Sequence, residues 1–175
     1  MRKNKFCFGL LAVALSACSS VPSIGSTSSS ANALKLKTSD LIGLGGGDYA
    51  GNLTYLDYQS GKDVSLDVTA NVTVKLDCLN VAVSYTDEPE ANSTNVYCIS
   101  EDGSAFADAP VISLQRLGPD FIAFQTQEAG EDDNKPALLR QSYILSQSAI
   151  TSGLEVSYDD GETWIERNEL DIERK

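Results

Sequence analysis

No histidine occurs anywhere in the 175 residues. That removes the commonest general base and excludes Ser–His and Cys–His nucleophile pairs. Cations are also scarce: 13 Lys and Arg stand against 25 Asp and Glu, a formal charge of −12. A field of that sign repels nucleic acid and anionic headgroups, so no nucleic-acid partner is expected. Apolar runs are short, and nothing beyond Leu15 approaches the 18 or so residues of a spanning helix. Of the four cysteines only Cys78 and Cys98 lie in the part of the chain expected to fold, and without histidine two thiolates alone do not complete a zinc tetrahedron. Twenty-five carboxylates make any one acidic pair uninformative as a catalytic dyad. The chain is therefore expected not to be an enzyme and to need no cofactor or metal.

What is present begins with M-R-K-N-K-F-C-F-G-L-L-A-V-A-L-S-A-C. Basic Arg2, Lys3 and Lys5 precede an apolar run from Phe6 to Leu15, the pattern of a signal peptide over residues 1–17. Its end, Leu15-Ser16-Ala17-Cys18, resembles the lipobox of bacterial lipoproteins. That resemblance implies cleavage before Cys18 and acylation of its thiol and amine. Three acyl chains exceed the two signals that stable anchoring requires, so the membrane is the expected partner through lipid alone. Ser19 stands where Asp would signal inner-membrane retention, which favours the outer membrane, with the protein facing the periplasm. Residues 18–39 start with a serine-rich, aperiodic stretch that reads as a flexible tether. Cleavage removes three cations and no carboxylate, taking the mature charge to −15.

Residues 40–175 are long enough for one domain with a substantial core. From Asp63 to Asp77 every even position is apolar (Val64, Leu66, Val68, Ala70, Val72, Val74, Leu76), and every odd position is polar. A period of two over that length is a β-strand with one wet face. Shorter stretches repeat the theme: Tyr49–Tyr58, Leu79–Tyr85, Asn95–Ile99, Val111–Leu117, Phe121–Gln127, Leu138–Ser146, Ile150–Tyr158 and Thr163–Ile172. Turn residues separate them, and Glu128–Pro136 reads as a long, exposed acidic loop. Only Leu34–Ile42 has room for a short helix, capped by Thr38 or Ser39. Sequential hairpins without crossovers predict one all-β domain, an antiparallel up-and-down barrel of 8–10 strands, with a β-sandwich as the competing architecture.

Cysteine usage is consistent with that picture. Cys7 leaves with the signal and Cys18 takes lipid, so Cys78 and Cys98 remain for the fold. In an oxidising envelope they are expected to form a disulfide. A hairpin turning near Glu88–Glu90 sets the two opposite each other, and closing that loop adds roughly 3 kcal/mol.

At both ends of the domain the chain is similar to lipocalin-like barrels of the calycin superfamily. Gly47-Asp48-Tyr49 resembles the Gly-x-Trp opening of the first strand, with Tyr in place of Trp. Trp164-Ile165-Glu166-Arg167-Asn168-Glu169-Leu170 looks like the closing strand of small bacterial members. The resemblance implies Arg167 stacked on Tyr49 at the closed base of the barrel. It also implies a lumen for a small hydrophobic ligand, with Tyr49, Tyr55, Phe124, Tyr143 and Trp164 as candidate lining. The competing functional reading is a barrel filled by its own side chains, serving as a structural or protein-interaction module.

Three motifs have structural explanations. S-Y-D-D-G-E-T-W, Ser157–Trp164, resembles the Asp-box hairpins of sialidase-like propellers. It occurs once, in a chain too short for a propeller, and each of its residues has a turn-forming role. The glycine run Gly43-Leu44-Gly45-Gly46-Gly47 precedes a strand and lacks the Gly-Lys-Ser/Thr frame of a phosphate loop, so it reads as a hinge. Asp132-Asp133-Asn134 offers oxygen ligands but not the spacing of a calcium loop.

Overall fold

In a computed structural model, the structure describes residues 34–42, 44–118 and 120–175. The expected signal peptide, the lipobox-like motif with Cys18 and most of the expected tether lie outside the described residues.

The alternating sequence folds as the pattern demands. A short helix α1 (Thr38–Ile42) is followed by β1 (Gly47–Leu56), β2 (Asp63–Lys75), β3 (Cys78–Tyr85), β4 (Ser93–Cys98), β5 (Ala105–Phe106), β6 (Ala109–Gly118), β7 (Phe121–Asp132), β8 (Lys135–Ser146), β9 (Ala149–Ser157) and β10 (Ile165–Arg174). All pairings are antiparallel, and the ten strands form one sheet in the order β4-β3-β2-β1-β10-β9-β8-β7-β6-β5. Among the described residues there is no second sheet of a sandwich. First and last strands pair from Tyr49↔Arg174 to Tyr55↔Asn168, which curls the sheet into a barrel. At the remaining seam, β4 and β5 are joined by a single bridge, Ile99↔Phe106, so the wall is nearly closed.

Pairing register decides which residues face inward. Val68, Ala70 and Val72 of β2 lie opposite Gly51, Tyr49 and Gly47 of β1, and opposite Tyr85, Val83 and Val81 of β3. These join Phe124, Leu145, Ile150 and Ile172 in one buried cluster. Gly51 permits the closing contact between β1 and β10, because a Cβ there would lie 2.0 Å from the Asp171 carbonyl oxygen.

The folded part begins before Asp40. Leu36, Leu41 and Leu44 are buried, and the Leu36 N–H donates to the Gly103 carbonyl at 2.9 Å. Arg116 at the end of β6 forks onto Asp40 (2.8 and 2.6 Å) and reaches the Lys35 carbonyl at 2.9 Å. This segment therefore plugs one end of the barrel. Thr38 does not simply cap α1; its hydroxyl donates to Asp77 on the β2–β3 turn. Leu44 and Gly45 form no loose hinge, since Arg174 donates to both their carbonyls.

The expected loop Glu128–Pro136 is not a loop. β7 and β8 continue to Asp132↔Lys135 and are joined by Asp133-Asn134 alone. Both turn residues have positive φ (50° and 58°), as a two-residue type I′ hairpin requires. Their acidity marked them as exposed but concealed the ladder on either side.

Candidate functional site

The barrel interior is where a ligand site was expected, and two of the proposed lining residues meet there. Phe124 and Tyr143 are cross-strand partners on β7 and β8, stacked with ring centroids 4.7 Å apart. Phe106 meets both edge-on at 5.2 and 5.1 Å, and Tyr97 stacks on Phe106 at 6.0 Å. Phe106 is fully buried. Burial, then the neighbouring Tyr97 and Glu128, pushes the Tyr143 phenol well above its ordinary pKa. Phe106 and Tyr97 belong to this plug although the sequence reading did not select them. Phe106 sits on a two-residue strand among turn residues, too short to show any periodicity.

The plug divides the interior. On its inner side is a space of about 50 Å³, lined by Leu79, Tyr97, Tyr143, Leu145, Leu170 and Ile172 among others. Against Phe106 on the other side is a partly open cup of about 220 Å³, whose walls include Thr126, Glu128, Leu139, Tyr143 and Leu154. Ligand pockets for drug-sized molecules run from roughly 300 to 1,000 Å³. Of the other candidates, Tyr49 is buried at the plugged end. Tyr55, paired with Asn168 and Val64, faces inward at the open end.

Trp164 does not line the lumen. Arg140, cross-strand from Glu155 on the outer face, pairs with that carboxylate at 2.9 Å and stacks 3.8 Å over the Trp164 ring. The indole N–H donates to the Gly161 carbonyl at 3.1 Å. Trp164 precedes the first residue of β10, so strand alternation does not place it; the hairpin folds it against the outer wall. Asp159 organises that hairpin, accepting from the Ser157 hydroxyl (2.7 Å), the Thr163 N–H (2.8 Å) and the Thr163 hydroxyl (2.6 Å). Thr163 first, then Ser157, draw the Asp159 carboxyl down to about 2.

The expected stack of Arg167 on Tyr49 is also corrected. The β1–β10 register places Tyr49 opposite Arg174, at the far end of the strand from Arg167. Arg174 lies 5.4 Å over the Tyr49 ring and donates to its hydroxyl at 3.1 Å. Arg167 sits at a register shift near the open rim instead. It donates to Asp132 at 2.9 Å and to the Tyr158 hydroxyl at 2.9 Å, and stacks 4.6 Å over Tyr58. Tyr58 and Tyr158 both donate to the same carboxylate. Burial raises the Asp132 pKa, but bonds from Tyr158, Tyr58 and Arg167 outweigh it and hold the carboxyl below its usual range. The bond to Asp132 pushes the Tyr58 phenol up to about 12. The cluster straps the β1–β2 turn, the β7–β8 hairpin and β10 together across one side of the mouth.

Among the described residues, no group of three or more metal-ligating side chains could hold an ion, and no buried side-chain polar atom lacks a partner. The sharpest charge constellation, Arg167 with Asp132, is thus saturated by its own neighbours. Cys78 and Cys98 face each other across β3 and β4 and are bonded.

These observations define a class by architecture: an all-β, antiparallel up-and-down barrel with a plugged base and an aromatic partition across its lumen. No protein-family model, no curated protein and no solved structure matches the chain.

Proposed function

We propose that this chain is a non-catalytic lipoprotein of the cell envelope, anchored in the outer membrane through Cys18, whose filled barrel serves as a structural and protein-interaction module. The observation that carries this reading is the partition of Tyr97, Phe106, Phe124 and Tyr143, which leaves about 50 Å³ on its inner side. A carrier of sizeable hydrophobic ligands needs that volume empty. The lipobox motif and the serine-rich stretch after it support the anchored placement.

A second reading, binding of one small apolar molecule, is favoured by the cup of about 220 Å³ against Phe106. Native mass spectrometry of the Cys18→Ser chain, exposed to an envelope lipid extract, separates the two. The module reading expects the mass of the polypeptide alone. A stoichiometric adduct would sink it in favour of the cup. The same measurement on the unsubstituted chain reads the anchor: a mass increment of three acyl chains is expected, and its absence removes the lipoprotein assignment.

A further inference from the structure

The wall of this barrel has one seam without a ladder. Every other pair of neighbouring strands shares a ladder, if only two residues long between β5 and β6, but β4 meets β5 only through the bridge Ile99↔Phe106 just past its end. Across that bridge the Ala107 N–H donates to the Cys98 carbonyl at 2.9 Å. Cys98 therefore turns its backbone groups away from β3. Its Cα lies 4.1 Å from that of Cys78, the close spacing of a non-hydrogen-bonded pair. By the period of two, Thr94 and Val96 point their N–H and C=O groups to that same outer side. Among the described residues, no backbone group on that side pairs with them. Residues Ser93 to Val96 are all exposed, including Ser93 and Asn95, whose side chains face the lumen.

An exposed strand edge is ordinarily blunted by Lys, Pro or a bulge. S-T-N-V-Y-C has none of these; its only protection is its short length. Cations are scarce around this edge: Lys35 pairs with Asp102 on the β4–β5 connection at 3.5 Å. No lysine or arginine occurs between Lys75 and Arg116, a span that supplies β3, β4, β5 and the start of β6. Glu88 and Glu90 stand on the connection leading into β4. Asp108 precedes β6, and Glu128 on β7 lines the cup beside Phe106.

We propose that the free edge of β4 receives an extended, basic segment of a partner protein as an added strand. Its backbone would bond to Thr94 and Val96, and lysine or arginine at alternate positions would meet the acidic flanks. This inference rests on the interaction-module reading and names the surface and the chemistry of the partner.

The test uses the full chain in detergent and an eight-residue peptide alternating lysine and threonine. The peptide is expected to bind and to slow amide exchange at Thr94 and Val96. Two further peptides of unchanged charge carry N-methyl groups on either the odd or the even amides. One register is expected to lose at least tenfold in affinity, and the other to bind like the parent. Val96→Pro removes a donor from the free edge while leaving the bonds to β3, and is expected to weaken binding by a similar factor. Equal binding of the two methylated peptides would reduce the effect to charge alone and overturn the proposal. So would protection elsewhere on the barrel, or no binding at millimolar peptide. A dimer of the free chain that Val96→Pro dissociates would assign the edge to a second copy instead. Failure of the peptide leaves the module reading standing, whereas a lumen ligand in the mass spectrum removes that reading whatever the peptide does.

Discussion

Arg167 and Arg174 occupy opposite ends of β10 and both engage tyrosine, yet different partners hold them. Arg174 satisfies the carbonyls of Leu44 and Gly45 while lying against Tyr49, which ties the N-terminal segment to the wall. Arg167 and Asp132 are each about one-tenth exposed, so their attraction is little screened. Breaking the pair leaves a largely buried guanidinium without its counter-ion. Asp132→Asn is expected to cost about 2 kcal/mol at neutral pH, measured by urea unfolding. The sign of the pH dependence follows from the depressed carboxyl. Its contribution is present above the unfolded value near 4 and is lost as pH falls through the lower folded value. The stability of the Asn variant should fall less over that acidic range, and parallel pH profiles would show that Asp132 is not a source of the slope. That an arginine stacks on the first-strand tyrosine was what the resemblance implied. Which arginine does so was not legible in the sequence, because that depends on the register between the two chain-terminal strands.

At the scale of elements, legibility followed periodicity. β2 was readable because thirteen residues alternate without interruption. β5 was not, because two residues contain no period. The β7–β8 hairpin was hidden by its composition: a turn built of Asp and Asn looks like a loop until its positive φ angles and ladder are seen. β4 is a different case, short and exposed, and it is held to β3 by a single ladder and a disulfide. The staple closes a loop across twenty positions, so the Cys78→Ser/Cys98→Ser pair is expected to lose about 3 kcal/mol. Urea midpoints with and without reductant check this. A reductant-insensitive midpoint in the unsubstituted chain would mean that the strand is held by its backbone and packing alone.

For the molecule as a whole, the question is what fills the barrel. Phe106 touches Tyr97, Phe124 and Tyr143 at once, so it is the keystone of the partition. Phe106→Ala is expected to cost about 3–5 kcal/mol and to join the cup to the space beyond it. An apolar fluorophore that ignores the parent chain should then bind the variant. Equal binding to both would show that the partition does not close the lumen. By itself the sequence determined the all-β class, the antiparallel succession, most strand positions and the cysteine pairing. Each of these follows from alternation, turn chemistry or neighbouring hairpin arms, which are local in the chain. Only the tertiary structure decided that Trp164 lies outside, that Arg174 rather than Arg167 meets Tyr49, that Phe106 blocks the lumen and that β4 keeps an open edge. Those outcomes depend on how distant strands are aligned when the sheet curls, and an alternating pattern is the same whether the space it encloses is empty or full.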